Sequence, residues 1–366
     1  MTLRSLFRGW MEQYFSDEEA VVMLIVLVLG FACVIFFGKM LAPFFTALII
    51  AFLLQGGVNF LTRHRVPGLL AIALVYLVFI GILLIIAFIL LPLIWSQMAN
   101  LMHELPRMLA SGRKMVDDLQ VLYPQLVTPD QIQTWIGMAS REVTLLGQHA
   151  VTLSLASLGN VMGLIIYLVL VPILVLFMLK DSNQLVGFAV SLLPRQRDLM
   201  GRVWHEMDNK IANYVRGKFI EIIIVASVAF IVFTFLGLRY SALLAVLVGL
   251  STLVPFIGAA VATLPVMAVA GFQFGLGDQF FYVLFAYAVI QAIDGNVLVP
   301  LLFSEAVNLH PVSIILAVLF FGGIWGFWGV FFAIPLATLM KALLYAWPRG
   351  IEQRREKTEA LPGGAA

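Results

Sequence analysis

The chain has 366 residues, of which 62% are hydrophobic and 11% charged, and its mean hydropathy is +1.03. Ordinary globular domains have about 45–50% apolar and about 25% charged residues, so this composition excludes a water-soluble protein. The net charge of +2 does not indicate a nucleic-acid partner, and the single cysteine excludes a disulfide framework. The sequence therefore predicts an all-α polytopic membrane protein whose main partner is the lipid bilayer.

Eight hydrophobic segments are candidates to cross the membrane, which takes roughly 20 apolar residues. They lie at residues 21–38, 41–61, 67–94, 154–179, 219–238, 240–272, 280–303 and 311–347. We expect a hairpin at Lys39 to separate the first two, and the third to begin at Pro67, since a helix start tolerates proline.

Two polar regions separate the early segments. Residues 95–153 have a soluble composition and apolar residues at helical spacing, which predicts a small helical extramembrane module. Residues 180–218 carry an apolar stripe that includes Met207, Ile211 and Val215, with basic residues on the other face. This pattern favours a helix in the headgroup plane, and a solvated helix that packs on a partner is the alternative.

Most of the 22 Lys and Arg residues fall in the N-terminal stretch, at Arg63 and Arg65, in 180–218 and near the C-terminus. The positive-inside rule then places both termini in the cytoplasm and the 95–153 module outside. The predicted units are membrane helices in 1–94, the extracytoplasmic module 95–153, a membrane helix at 154–179, a cytoplasmic linker 180–218, core segments 219–348 and a cytoplasmic tail 349–366.

Two of the late segments are interrupted, and together they form a weak internal repeat. Each has an apolar run, a glycine-containing break with an aromatic residue, a second apolar run and then a proline. Such breaks free backbone groups that are tolerated only against protein or water, and paired breaks are typical of a transporter's substrate site. Close helix packing through small residues is the alternative. The candidate positions are Thr252, Pro255, Phe256, Gly258, Gly323, Gly326, Gly329 and Pro335.

Each broken stretch could be one kinked span or a hairpin of two half-helices, and the repeat favours two re-entrant hairpins in inverted halves. Basic residues cannot decide between the two topologies, because the loops at 273–279 and 304–310 contain no Lys or Arg.

One acidic residue, Asp294, is predicted to lie near the middle of an apolar segment. An ionised Asp there costs roughly 2.5–3.5 kcal/mol, so a partner, a cavity or a proton is expected. Gln291 and Asn296 flank it, and Glu221 lies near a predicted helix end, three residues after Lys218, where it could reach the interface or pair locally. We take Asp294, Asn296, Gln291 and Glu221 as candidate coupling residues, with a structural contact between helices as the alternative.

Enzyme motifs are not supported by the sequence. The GxGD string at 275–278 lies in a short predicted loop, neither His-Glu pair continues to a second histidine, and no Walker A string is present. We therefore expect no catalytic residues, no metal site and no cofactor.

The runs at 216–218, 236–244, 254–259, 291–300, 309–312, 323–329 and 333–337 resemble the autoinducer-2 exporter family of predicted permeases, in its permease-type branch. The resemblance implies eight membrane segments, assembly as a homo-oligomer and transport. Autoinducer-2 export is implied for some members and sodium–proton exchange for others. Asp294 stands where glutamate is the commoner acid in the family, so the charge is kept.

The leading hypothesis is a secondary transporter or exporter of the bacterial inner membrane, which moves a small solute or cation with Asp294 as its coupling group. A passive channel and a membrane scaffold that presents the 95–153 module are the alternatives. No motif identifies the solute.

Overall fold

The computed structural model describes residues 18–122, 137, 163, 166–191, 198–255, 257–303 and 309–342. Within these ranges the regular structure is helical, which confirms the all-α membrane class. Five helices are long and apolar enough to cross a membrane, and a pair bent by 85°, Ile166–Lys180 with Ser182–Phe188, is a sixth candidate. Shorter apolar helices accompany them, so the predicted number of eight segments is approximate.

The first helix, α1, runs without interruption from Glu18 to Arg63. The predicted hairpin at Lys39 is therefore wrong. Apolar residues continue on both sides of Lys39, and Pro43 is accommodated inside the helix. Without that turn, the basis for placing the N-terminus on the same side as Arg63 is lost.

The second helix begins at Gly68, directly after Pro67, as predicted. Helix α2 (Gly68–Ile85) continues through a π-helical turn (Ile86–Leu90) into α3 (Leu91–Leu122). The start of the predicted 95–153 module is thus a continuation of the membrane helix, and most of 123–153 lies outside the described residues. Helices α4 (Ile166–Lys180) and α5 (Ser182–Ser191) follow.

Helix α6 (Asp198–Phe235) joins the predicted linker to the next apolar segment without a boundary at residue 218. The described part of its apolar stripe is covered by protein: Met207 packs with Ala342, and Val215 packs in a core with Ile334. The prediction of a helix in the headgroup plane is wrong for these residues, because segments remote in the sequence cover the stripe.

The first broken segment folds back on itself. Helices α7 (Ser241–Ser251) and α8 (Ile257–Phe274) are separated by a break at residues 252–256, and we call residues 241–274 hairpin 1. Gln273, near the end of α8, accepts a hydrogen bond from the Arg239 backbone N–H and donates one to the Gly237 carbonyl, both at 2.7 Å. These bonds join the two ends of the hairpin just before α7 begins.

The second broken segment has the same design. Helices α11 (Pro311–Trp325) and α12 (Phe327–Ala342) meet at Gly326, whose φ of 58° favours glycine, and we call residues 311–342 hairpin 2. Helices α11 and α12 pack so closely side by side that a Cβ at Gly329 would collide with the Phe321 carbonyl.

The two hairpins point towards each other. Helices α9 (Asp278–Ile293) and α10 (Val299–Phe303), joined by a π-helical turn (Asp294–Leu298), lie between them in the chain. The base of hairpin 1 contacts the end of α6, where Thr234 Oγ1 bonds Ser241 Oγ at 3.2 Å. The base of hairpin 2 contacts the other end of α6, at Met207 and Ala342. Leu253, in the tip of hairpin 1, shares a core with Ile314 and Phe331 of hairpin 2.

The glycines of hairpin 2 allow a matched test of this packing. We expect Gly329→Ala to lower stability by about 1–3 kcal/mol, because the added methyl group forces the two half-helices apart. Gly323→Ala is the control: its Cβ would meet nothing within 4 Å, so stability should stay the same or rise by up to about 1 kcal/mol. Thermal unfolding in detergent measures both, and equal melting temperatures would contradict the close hairpin.

Candidate functional site

Asp294 begins the π-helical turn that interrupts the helix between α9 and α10. Only 8% of the residue is exposed, and its Oδ1 has no hydrogen-bond partner among the described residues. A π-helical turn inside an α-helix is frequently found at functional sites, because it shifts the side chains and carbonyls around it. The predicted buried position of Asp294 is therefore observed, together with an unsatisfied carboxylate oxygen.

A buried ion pair lies on α6 opposite this turn. Lys218 Nζ donates to Glu221 Oε2 at 2.8 Å, and the two residues are 4% and 1% exposed. Lys218 Nζ also lies 5.4 Å from the centre of the Phe303 ring on α10. Helix α10 can approach so closely because residue 217 is a glycine, where a Cβ would lie 2.9 Å from Phe303 Cε1.

The π-helical turn that begins at Asp294 packs against α6, the helix that carries both members of the pair. One turn further along each helix, Ile290 and Val225 share the same core, which fixes α9 against α6. We call Lys218, Glu221 and Asp294 the charged cluster. It contains two carboxyl groups and one ammonium group, so one negative charge is uncompensated whenever both acids are ionised.

The break in hairpin 1 lies beside this cluster. Gly249 packs so tightly on α6 that a Cβ would lie 2.6 Å from Ala226 Cβ and 2.9 Å from the Ile222 carbonyl. Helix α7 ends three residues later, at Thr252, which is buried and donates its hydroxyl to the Gly249 carbonyl at 2.8 Å. The helix therefore breaks next to the turn of α6 that carries Glu221.

Gly258 allows the chain to re-enter a helix immediately after the break. A Cβ at this position would collide with the Ser251 carbonyl, so only glycine lets α8 start against the end of α7. Pro255 lies in the turn itself, and Phe256 lies outside the described residues.

The side chains of Gln291 and Asn296 form hydrogen bonds with groups other than the Asp294 carboxylate. Gln291 donates to Tyr287 Oη at 3.0 Å, and Tyr287 donates to the Ala259 carbonyl at 2.8 Å. This chain of bonds attaches α9 to the start of α8. Asn296 is exposed and donates to the Ala292 carbonyl of its own helix at 2.8 Å. Gln291 therefore supports the broken helix, and neither residue completes the charged cluster.

The predicted positions in hairpin 2 play different roles. Gly326 forms the turn and Gly329 the close approach, whereas Gly323 borders open space and Pro335 lies inside α12. The tip is held against α1, where Trp325 stacks on Phe31 with ring centres 5.2 Å apart.

Sequence reasoning considered Lys218 only as a local partner of Glu221 and did not include it among the candidate site residues. Glu221 is not near a helix end, since α6 continues for several turns on both sides. The available signal was the spacing of three residues between Lys218 and Glu221, which places both on one face of a helix.

These features, two broken helices of which the tip of hairpin 1 packs against hairpin 2 close to a buried charged cluster, define the protein as a polytopic membrane protein of the transporter class. The model of the AI-2E family transporter matches residues 24–349, so the chain belongs to the AI-2E transporter family.

Individual relatives support the same family. The chain is 48% identical over 342 residues to an Escherichia coli protein named "Putative permease PerM", an alignment that covers 93% of this chain and 97% of the relative. It is 29% identical over 337 residues to "AI-2 transport protein TqsA" of Escherichia coli, covering 89% and 91%. It is 26% identical over 329 residues to "Putative transport protein YueF" of Bacillus subtilis, covering 88% of each.

Proposed function

We propose that the protein is a secondary transporter of the bacterial inner membrane, and that Asp294 binds and releases the coupling proton or cation. The observation that supports this proposal is the packing of the tip of hairpin 1 against hairpin 2, whose Phe331 also contacts Phe219, the residue next to Lys218 of the charged cluster. Hairpins that enter from opposite ends of α6 can open in alternation while the site between them stays in place.

Charge balance gives Asp294 the coupling role. With Lys218 and Glu221 paired, the charge of the cluster equals the charge of Asp294. An ionised Asp294 is costly in this setting, by roughly 2.5–3.5 kcal/mol on insertion scales, and a proton or a sodium ion would neutralise it. The unpartnered Oδ1 leaves an oxygen free to accept either one.

The solute is proposed from the relatives, since no motif identifies it. The name of one relative describes transport of autoinducer-2, and the name of a more similar one gives only a permease. We propose an exporter of a small polar solute or a sodium–proton antiporter. We also propose a homo-oligomer, which the family resemblance implies, and mass measurement in nanodiscs tests this.

The test is a flux measurement with the purified protein in liposomes that contain a pH-sensitive dye, with the membrane potential clamped. Gradients of sodium and of autoinducer-2 are imposed separately. Movement of protons against their own gradient with either solute supports a coupled transporter. Flux that only runs downhill would indicate a channel, and no flux with either probe would indicate a scaffold.

The side of the membrane on which each hairpin opens can be tested by cysteine labelling. In a Cys33→Ser background, we expect an impermeant thiol reagent to label Asp278→Cys from the periplasmic side, because hairpin 1 opens on the side of the 95–153 module. His310→Cys, at the base of hairpin 2, should react only after the membrane is permeabilised. Arg239→Cys is the control and should behave like Asp278→Cys. Labelling of positions 278 and 310 from one side would overturn the opposed arrangement.

A further inference from the structure

A polar cleft of about 660 Å³ opens where α3 passes the base of hairpin 1. Five of its lining residues belong to α3 and two belong to the turn before α7. They are Gln97, Asn100, His103, Glu104, Arg107, Arg239 and Tyr240. This lining is polar and charged although α2 and the start of α3 are strongly apolar.

The charges in the cleft are arranged so that an anion can enter. Arg239 Nη1 lies 3.5 Å from Glu104 Oε2, and the two side chains are 58% and 29% exposed, so the pair is weak and easily exchanged. Arg107 is exposed and makes no ion pair within the described part of the chain. Two guanidinium groups therefore face one carboxylate.

The remaining groups can bind hydroxyl groups. Burial, reinforced by Glu104, raises the pKa of the Tyr240 hydroxyl, which therefore stays protonated as a donor. The amide of Asn100 adds a donor and an acceptor.

We propose that this cleft binds a small anionic solute, a phosphate or carboxylate that also carries hydroxyl groups. The planar guanidinium groups of Arg107 and Arg239 match the paired oxygens of such an anion. The bound anion takes the place of Glu104 beside Arg239.

This position connects the ligand to hairpin 1. The Arg239 backbone N–H is held by Gln273 of α8, and Gln97 Oε1 accepts a hydrogen bond from the Leu243 N–H in the first turn of α7 at 2.9 Å. A ligand in the cleft thus contacts the base of hairpin 1, at the opposite end from its tip at the charged cluster. Binding at equilibrium requires no transport, so its failure is distinct from failure of the proposed function.

The test is calorimetric titration of the full-length protein in phosphatidylcholine nanodiscs with glycerol 3-phosphate, and with glycerol as the uncharged probe. We expect saturable binding of glycerol 3-phosphate and none of glycerol. Arg107→Gln should weaken binding about tenfold, because a charge-assisted hydrogen bond is lost. Glu104→Gln should tighten it several-fold, since Arg239 is then free for the ligand. Arg63→Gln, at the far end of α1, is the control with the same change of charge and should bind normally.

A second set of nanodiscs containing phosphatidylglycerol distinguishes the source of the anion. If a lipid headgroup occupies the cleft, glycerol 3-phosphate binds more weakly in these discs than in phosphatidylcholine, and Arg107→Gln removes the difference. Equal affinity in both discs indicates a free solute. Absence of saturable binding together with no effect of the lipid would overturn the proposal, as would weaker binding by Glu104→Gln.

Discussion

Asp294→Asn is expected to reduce gradient-driven flux to the level of protein-free liposomes while the protein still folds and inserts. Asparagine keeps the size and polarity of the side chain but cannot exchange a proton or balance a cation. The Lys218–Glu221 pair is untouched, so the packing of α6 against α9 and α10 should be preserved.

Asp278→Asn is the matched control for this prediction, since it makes the same change at an exposed acid in the first turn of the same helix. Flux should remain at the wild-type level. Melting temperatures in detergent separate a functional loss from unfolding. Wild-type flux in a folded Asp294→Asn protein would make Asp294 a structural residue and remove the basis of the coupling proposal.

Lys218→Met is expected to be the most destabilising of the substitutions considered. It leaves Glu221 and Asp294 buried without a cation, and breaking a buried pair by removing one partner costs about 3–5 kcal/mol. The methionine side chain still fills the space beside Phe303, so the decrease in stability should come mainly from the missing charge and not from lost side-chain volume.

The double variant Lys218→Met/Glu221→Gln distinguishes the effect of unpaired buried carboxylates from the effect of lost packing. Removing both charges of a buried pair is often nearly neutral, so we expect most of the lost stability to return. Lys180→Met, at an exposed lysine, should change stability by less than about 0.5 kcal/mol. Unfolding in denaturant measures all three variants. A double variant as unstable as Lys218→Met would show that lost packing, not the unpaired carboxylates, causes the effect.

The breaks and the acid were predictable because their signals are local. Glycine and proline inside apolar runs disturb a helix wherever the rest of the chain lies, and Pro255, Gly258 and Gly326 do so here. Asp294 is conspicuous in an apolar segment for the same reason. Lys218 was not recognised, because its burial depends on Gly217 and Phe303, which are brought together only by the packing of α10 on α6.

The sequence alone determined the membrane class, the helical segments and the positions where helices break, since composition and glycine–proline placement act within a few residues. Only the tertiary structure decided that α1 continues through Lys39, that the stripe of α6 is covered by α12, and that the tip of hairpin 1 packs against hairpin 2. Whether an apolar stripe faces lipid or protein, and whether a charged pair is buried, depends on segments remote in the sequence, such as Phe303 for Lys218 and Ala342 for Met207, and periodicity cannot specify their surfaces.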